Sequence, residues 1–195
     1  MDNIIRFDLP GWVKDYVTTL PEIFENDQQK MAVAVELAQK NVENRTGGPF
    51  GAAIFDRNTN KIISVGVNLV QPHNCSILHA EIVAIMTAHN KLGCYSFELS
   101  QTLAAELFTS VEPCAMCLGA IGWSGLGRVV CGARDQDARD VGFDEGDKPQ
   151  NWQYNLRKRG IDLEIDILRW QAREILVKYS QENGLIYNGR RENSE

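Results

Sequence analysis

Residues 103–133 read LAAELFTSVEPCAMCLGAIGWSGLGRVVCGA, and they indicate the fold class more clearly than any other part of the chain. Residues 103–109 are typical of a buried strand, residues 114–123 of a short helix, and residues 128–133 of a further strand. Because strand and helix alternate here at short spacing, we predict that the two strands pair in parallel.

The residues before this stretch predict two helices and a hairpin. A helical pattern begins at Asp27, which we expect to cap the helix, and it ends before Gly47. Residues 51–55 and 61–67 predict two antiparallel strands joined by a polar loop. From about residue 79 to residue 91, apolar side chains recur on one helical face, which predicts a second helix.

The residues after the stretch complete the predicted sheet. Residues 161–167 alternate between apolar and acidic side chains, which predicts an edge strand with one solvated face. A last helix follows and ends at Asn183-Gly184. Together these elements predict an α/β fold with a mixed sheet of about five strands and helices on both faces.

Composition and charge disfavour several classes of protein. The 195 residues are 44% hydrophobic and 24% charged, as in an ordinary globular protein. No apolar run approaches the ~18 residues of a membrane span, and the cysteines suggest no secretory disulfide framework, so we expect a cytoplasmic protein without a membrane partner. The net charge of -6 disfavours nucleic acid as a partner, since only residues 157–159 and 190–191 concentrate positive charge.

The length suggests one compact domain. We expect residues 1–26 to be an N-terminal extension that packs on the domain, residues 27–183 to form the domain, and residues 184–195 to form a C-terminal tail.

Two short motifs carry the chemistry: His79-Ala80-Glu81 and Pro113-Cys114-Ala115-Met116-Cys117, each at the start of a predicted helix. Cys114 and Cys117 are three positions apart, so both sulfurs lie on one side of a first helical turn and can share a metal ion. The partial positive charge at a helix N-terminus lowers thiol pKa values, which favours the thiolates that zinc requires. The sequence therefore predicts His79, Cys114 and Cys117 as zinc ligands.

A zinc ion with three protein ligands keeps a fourth position for water, as catalytic sites do. Zinc lowers the pKa of that water, and Glu81 is placed to carry the protons. Two alternatives stay open. The first is a closed structural site with Cys75, His73 or Cys131 as fourth ligand, and the second is a redox Cys-x-x-Cys pair, which leaves the His-x-Glu motif unexplained.

His-x-Glu followed by Pro-Cys-x-x-Cys resembles the signature of the zinc-dependent cytidine deaminase superfamily. The resemblance covers roughly residues 27–145, including Gly47-Gly48-Pro49-Phe50-Gly51 and residues 112–121. It implies a three-layer α/β/α sandwich, one Zn²⁺ per chain, and hydrolytic release of ammonia from an amine-bearing base.

Within that superfamily, the sequence is most similar to the bacterial guanine deaminases. This similarity implies that Asn68 hydrogen-bonds the purine, and that Phe50 and Trp123 line or stack on it. It further implies that the Ala80 backbone amide meets a ring oxygen, and that Glu145 binds the amino side of the base and helps to relay a proton. The segments that carry the similarity are residues 67–70, 121–124 and 142–146.

The resemblance also concerns the C-terminal tail and the assembly. In the guanine deaminases the tail closes over the pocket, sometimes from a partner subunit, so residues 184–188 are a candidate lid and Tyr187 a candidate substrate contact. This sequence departs from the family pattern because residues continue beyond Asn188. The resemblance implies a homodimer.

The expected function is hydrolysis of guanine to xanthine and ammonia by zinc-activated hydroxide, with Glu81 as proton carrier and Glu145 in support. Alternative substrates are an aminotriazine such as ammeline, cytosine, a cytidine nucleotide and transfer-RNA adenosine, the last of which the charge disfavours. A non-catalytic module stabilised by zinc is the alternative from another class.

Overall fold

Five strands form one mixed sheet at the centre of the molecule. In this computed structural model, which describes residues 7–100 and 102–189, the strands are β1 (Gly51–Asp56), β2 (Lys61–Val67), β3 (Ala105–Val111), β4 (Arg128–Ala133) and β5 (Asp162–Glu164). Their order is β2-β1-β3-β4-β5. β1 is antiparallel to β2 and β3, whereas β4 is parallel to β3 and β5. The predicted hairpin and the predicted parallel pair are both confirmed.

Helices cover both faces of the sheet. They are α1 (Gly11–Thr18), α2 (Asp27–Glu43), α3 (Ala80–Leu92), α4 (Ala115–Ser124), α5 (Asp135–Arg139), α6 (Trp152–Lys158) and α7 (Arg169–Gln181), with a 3-10 turn at Phe97–Leu99. Within the described residues, no helix combines the length and the apolarity that crossing a lipid bilayer requires.

The sheet separates two apolar cores. Successive residues of a strand point to opposite faces, so Phe55 and Phe108 lie in one core while Ile54 and Leu107 lie in the other. α1, α2 and α7 cover the first core, and α3, α4 and α6 cover the second. This is the predicted α/β/α sandwich, and it is confirmed.

Two local expectations are wrong. The cap of α2 is Asn26, whose side chain accepts a hydrogen bond from the Gln29 amide at 3.0 Å, and Asp27 instead lies in the first turn. The predicted strand over residues 161–167 shortens to β5, because Asp166 and Leu168 take positive φ angles of 67° and 53° and turn the chain into α7. Alternation alone does not reveal such a turn.

A closed ionic network lies at the amino ends of β3 and β4. The buried Lys30 donates to Glu106 Oε1 at 2.6 Å, and Arg128 donates to Glu106 Oε2 at 2.9 Å. Arg128 also binds both carboxylate oxygens of Asp27. Each buried charge is therefore opposed by another, and this network joins α2 to the sheet.

The carboxyl ends of the same two strands lead into the motif residues. β3 ends at Val111, just before Glu112 and Cys114, and β4 ends at Ala133, just before Asp135. In α/β sheets, ligands bind where parallel strands end in this way.

Candidate active site

The structure brings the three predicted metal ligands together. His79 directly precedes α3, Cys114 caps α4, and Cys117 lies in the first turn of α4. His79 Nδ1 lies 3.5 Å from Cys114 Sγ and 3.7 Å from Cys117 Sγ. A tetrahedral zinc ion, with bonds of about 2.0 Å to nitrogen and 2.3 Å to sulfur, separates such atoms by about 3.6 Å. The donor atoms and their spacing therefore fit one zinc ion.

The two sulfurs of this group differ in acidity. The pKa of Cys114 is lowered to about 4, chiefly because its sulfur accepts a hydrogen bond from Cys117, and His79 reinforces the effect. Cys117 holds the shared proton, and this raises its own pKa. A divalent cation that replaces the proton gains two thiolates and one imidazole as ligands.

The alternative of a closed structural site receives no support from the geometry. Among the described residues, His79, Cys114 and Cys117 form the one group of histidine, cysteine or carboxylate side chains with the spacing of a metal site. Cys131 lies in the second core, and neither Cys75 nor His73 belongs to the group. Three protein ligands are the set expected of a catalytic zinc ion.

Glu81 lies beside this group without belonging to it. It occupies the first turn of α3, lines the adjacent cavity and is 7% exposed. Burial raises the pKa of its carboxyl group, and the charge of Cys114 adds to the effect. A buried carboxyl group with a raised pKa binds a proton more readily, which suits a group that carries protons.

The cavity next to the metal ligands has a volume of about 410 Å³, which suits a small heterocycle. Phe50, Phe143 and Tyr187 form an aromatic wall: the Phe143 ring centroid lies 4.9 Å from that of Phe50 and 5.7 Å from that of Tyr187. Glu81 and Glu145 bring carboxyl groups into the same space. An apolar wall that faces a few polar groups is suited to a planar base.

Glu145 is carried by a loop over residues 142–148, here termed the Glu145 loop. Its carbonyl oxygen accepts a hydrogen bond from the Ala115 amide at 3.0 Å, so the loop backbone is joined to the start of α4. Burial raises the pKa of the Glu145 carboxyl group to about 8, and the charge of Cys114 adds to this. Glu145 can therefore be protonated at neutral pH.

Two buried polar atoms lack hydrogen-bond partners among the described residues, one on Tyr187, which lines the cavity, and one on Asn68, which packs behind the lining residues. In the described part of the chain, Asn68 Nδ2 and the Tyr187 hydroxyl are buried without a hydrogen-bond partner. Both side chains pack against Gly48, where an added Cβ would lie 2.8 Å from the Tyr187 hydroxyl and 3.4 Å from Asn68 Oδ1. Buried polar groups in native proteins are nearly always paired, so these two atoms indicate a ligand.

Trp123 lies away from this cavity in the single chain, so its predicted contact with the substrate stays a prediction. It is 85% exposed and borders a separate depression with Pro149 and Trp152. Trp123 follows the buried Ile121 by two positions, which is about 200° around a helix, so it points outward. Ala80 is buried as the first residue of α3 and does not line the cavity in the described part of the chain.

Several cavity residues were not predicted from the sequence. Phe143, Glu112 and Met116 line the cavity, and Lys148 lies against Glu112. Phe143 and Glu112 fall inside segments that resemble the deaminases, so that signal was present. Lys148 gave none, because a lysine in a loop of glycine and aspartate is typical of solvated surface.

Comparisons with known proteins agree with this geometry. Residues 24–133 match the family model of the cytidine and deoxycytidylate deaminase zinc-binding region. A guanine deaminase from Bacillus subtilis (strain 168) is 40% identical over 120 residues, which are 62% of this chain and 72% of that protein.

Two solved structures resemble nearly the whole chain. That of a guanine deaminase from Nitrosomonas europaea is 37% identical, covers 93% of this chain and 98% of its own, and has a TM-score of 0.87. A structure in complex with 2,6-diaminopurine is 39% identical, covers 98% of this chain and 100% of its own, and has a TM-score of 0.89.

Proposed function

Since the chain belongs to the cytidine and deoxycytidylate deaminase family, we propose that it is a zinc-dependent guanine deaminase that converts guanine and water to xanthine and ammonia. The observation that carries the proposal is the likeness over 98% of the chain to a structure that holds 2,6-diaminopurine, a purine with an amino group on the same ring carbon as guanine. The cavity of about 410 Å³, with its aromatic wall, supports a base of this size.

His79, Cys114 and Cys117 would hold the zinc ion. When bound, zinc supplies a water molecule with a lowered pKa as the nucleophile. Glu81 accepts one proton from the water as the water oxygen bonds to the amino-bearing carbon, and it transfers this proton to a ring nitrogen of the base. It then carries the second proton of the added water to the amine, which departs as ammonia when the C–N bond breaks. Its burial supports this role, since a raised pKa makes the carboxyl group a stronger proton acceptor.

Selectivity for guanine is assigned to groups around the base. Asn68 donates through its unpartnered Nδ2 to an acceptor of the purine, and the Ala80 amide donates to the carbonyl oxygen of guanine. Glu145 faces the amino side, assists the proton transfers and accepts hydrogen bonds from the base when ionised. Phe50 packs against the ring. Adenine is rejected because it would leave such buried groups unpaired.

We assign residues 27–183 to the catalytic domain, residues 1–26 to an extension packed on it, and residues 184–195 to a lid. Two contacts support the lid: Asn188 accepts a hydrogen bond from the Asp144 amide at 2.9 Å and donates one to the Gly142 carbonyl at 3.1 Å. Tyr187 then closes one side of the cavity. Residues 1–6 and 190–195 of these segments lie outside the described residues.

We propose that two copies of the chain pair through α4. Met116 and Trp123 are 36% and 85% exposed and lie two turns apart on one helical face. An exposed apolar face is suited to a symmetric interface with a second copy. Trp123→Glu should therefore convert a dimer to a monomer in sedimentation velocity, and a wild-type monomer or a dimeric variant would contradict the pairing.

We also propose a cytoplasmic location. All five cysteines are free thiols, and two of them are assigned to the metal, an arrangement that a reducing compartment preserves.

The test is ammonia release from a panel of guanine, adenine, cytosine, cytidine, deoxycytidylate and ammeline, with zinc measured on the same sample. We expect guanine to give the highest kcat/KM, with about one zinc ion per chain. A higher kcat/KM for any other compound would reassign the substrate. A zinc-loaded protein that releases no ammonia would favour the structural module.

A further inference from the structure

Lys148 is the last residue of the Glu145 loop, and its ammonium group is buried. Its side chain is 7% exposed, and Nζ lies 3.3 Å from Glu112 Oε2 and 3.2 Å from Asp135 Oδ1. The same Nζ lies 4.5 Å from the Trp152 ring centroid. One cation thus joins the loop to Glu112, which directly follows β3, and to Asp135, which lies two positions after β4.

A second cation fixes the same loop from α5. Arg139 Nε donates to Asp135 Oδ2 at 2.6 Å, and its Nη2 donates to the Gly146 carbonyl at 2.9 Å. Asp135 is therefore shared by Lys148 and Arg139, and its own amide donates to Glu112 Oε2 at 3.1 Å. Both attachments, at Gly146 and at Lys148, lie within three residues after Glu145.

The attachments also reach the metal-ligand turn. Glu112 lies two positions before Cys114, so the carboxylate that binds Lys148 is carried by the turn that carries a zinc ligand. The Glu145 carbonyl is bound by the Ala115 amide of that turn. These contacts fix the position of one proposed catalytic carboxyl group relative to the metal ligands.

We propose that Lys148 is a positioning residue for deamination: by binding Glu112 and Asp135, it holds the Glu145 loop against the Cys114–Cys117 turn. This inference rests on the proposed function, because it assigns to Lys148 an effect on guanine turnover through Glu145. Displacing a reacting group by about 1 Å can lower the rate roughly 100-fold. Loss of the Lys148 contacts can therefore lower kcat strongly even though Lys148 does not touch the substrate.

A control exists within the same chain. Lys30 is also a buried ammonium paired with a carboxylate, Glu106, but it lies at the amino end of β3. Lys148→Met and Lys30→Met are therefore the same chemical change at equal burial, and both are expected to lower stability. Only the first is expected to alter the reaction.

The experiment measures kcat, KM, zinc content, melting temperature and amide hydrogen exchange for both variants. For Lys148→Met we expect kcat to fall about 100-fold, KM to change less than threefold, zinc to be retained, and exchange over residues 144–148 to accelerate. Lys148→Arg should restore kcat to within about tenfold of wild type, since it keeps the charge. Lys30→Met should keep kcat within twofold below its melting temperature.

A double-mutant cycle tests whether Lys148 acts through Glu145. In a Glu145→Gln background, Lys148→Met should lower kcat by less than about threefold, because the group that it positions is already impaired. If Lys148→Met fails to fold, Arg139→Met removes the attachment at Gly146 from a side chain that is 35% exposed, and kcat should fall about tenfold.

The outcomes separate this inference from the function on which it rests. A wild-type enzyme that does not turn over guanine would overturn both. A wild-type enzyme that does, with unchanged kcat in folded Lys148→Met or Arg139→Met, would overturn the positioning role alone. Equal losses of kcat in Lys148→Met and Lys30→Met would also overturn it, since the effect would then be one of stability.

Discussion

Both ends of β3 and β4 bury charged side chains, but they pair them to different extents. At the amino ends, Lys30, Glu106, Arg128 and Asp27 form a closed network. At the carboxyl ends, roughly 20 Å away along β3, Glu145 lies near other negative charges, and burial raises its pKa to about 8. At the amino ends every buried charge is paired, whereas at the carboxyl ends Lys148 pairs with Glu112 and Asp135 but the Glu145 carboxyl group is left for a ligand.

Whether a buried polar group is paired within the chain therefore helps to distinguish structural residues from functional ones, and this criterion does not depend on sequence motifs. Burying an unpaired polar group costs about 1–3 kcal/mol, so a folded chain retains one only where something other than stability is gained. Asn68 Nδ2 and the Tyr187 hydroxyl are such atoms: Tyr187 lines the cavity, and both side chains pack against Gly48. The network at the amino ends needs no ligand to complete it.

The largest expected effect comes from one substitution made at both ends. Glu81→Gln should retain zinc and lower kcat by about 10²–10⁴-fold, because the amide cannot carry protons. Glu106→Gln should leave kcat within twofold and lower the free energy of unfolding by about 2 kcal/mol, since Lys30 and Arg128 lose a charged acceptor. Ammonia-release rates, zinc content and denaturant unfolding measure the contrast. A Glu81→Gln variant with normal turnover would refute the assigned role.

The sequence predicted the fold well because local patterns determine it. Alternating or continuous apolar runs predicted the central strands, and the spacing of Cys114 and Cys117 predicted that both sulfurs share one side of a helical turn. What was not predicted depends on tertiary contacts: a positive φ angle at Asp166 ended β5 early, and the outward direction of Trp123 depended on which face of α4 is buried. The burial of Lys148 arises from two carboxylates distant in sequence, which no local pattern reveals.

A smaller effect is expected when one buried tyrosine hydroxyl is removed, and its sign should depend on whether that hydroxyl has a hydrogen-bond partner. Tyr16 donates to Glu36 Oε2 at 2.9 Å, whereas the Tyr187 hydroxyl has no partner among the described residues. Tyr16→Phe should lower the free energy of unfolding by about 1 kcal/mol, and Tyr187→Phe should raise it by about 1 kcal/mol in ligand-free protein.

The same hydroxyl is expected to matter once substrate is bound. Tyr187→Phe should raise KM for guanine roughly fivefold, by the loss of about one hydrogen bond, and Tyr16→Phe should not change it. Unfolding curves and initial rates give both quantities. Loss of stability in Tyr187→Phe would show that the hydroxyl is satisfied within the chain, and the comparison between the two ends would lose its strongest support.

The last contrast is the dependence of stability on pH, which should have opposite signs at the two ends. The hydrogen bond from Arg128 lowers the pKa of Asp27 in the folded state, so its contribution is present above the unfolded pKa of about 3.9 and is lost as pH falls through the lower folded value. Burial raises the pKa of Glu145 to about 8, so its contribution is present below the unfolded pKa and is lost as pH rises towards 8.

Asp27→Asn should therefore lower the free energy of unfolding by about 1 kcal/mol at neutral pH. It should also reduce the loss of stability on acidification, because the variant has no ion pair between residues 27 and 128 to lose. Glu145→Gln should make the free energy of unfolding less dependent on pH between about pH 4 and 8, because the buried side chain can no longer ionise. Denaturant unfolding of chelator-treated protein across pH 3–9 measures both effects. If Asp27→Asn altered the pH dependence in the alkaline range, or Glu145→Gln that in the acid range, the two ends would be coupled, and buried charge could not be divided between a structural end and a functional one.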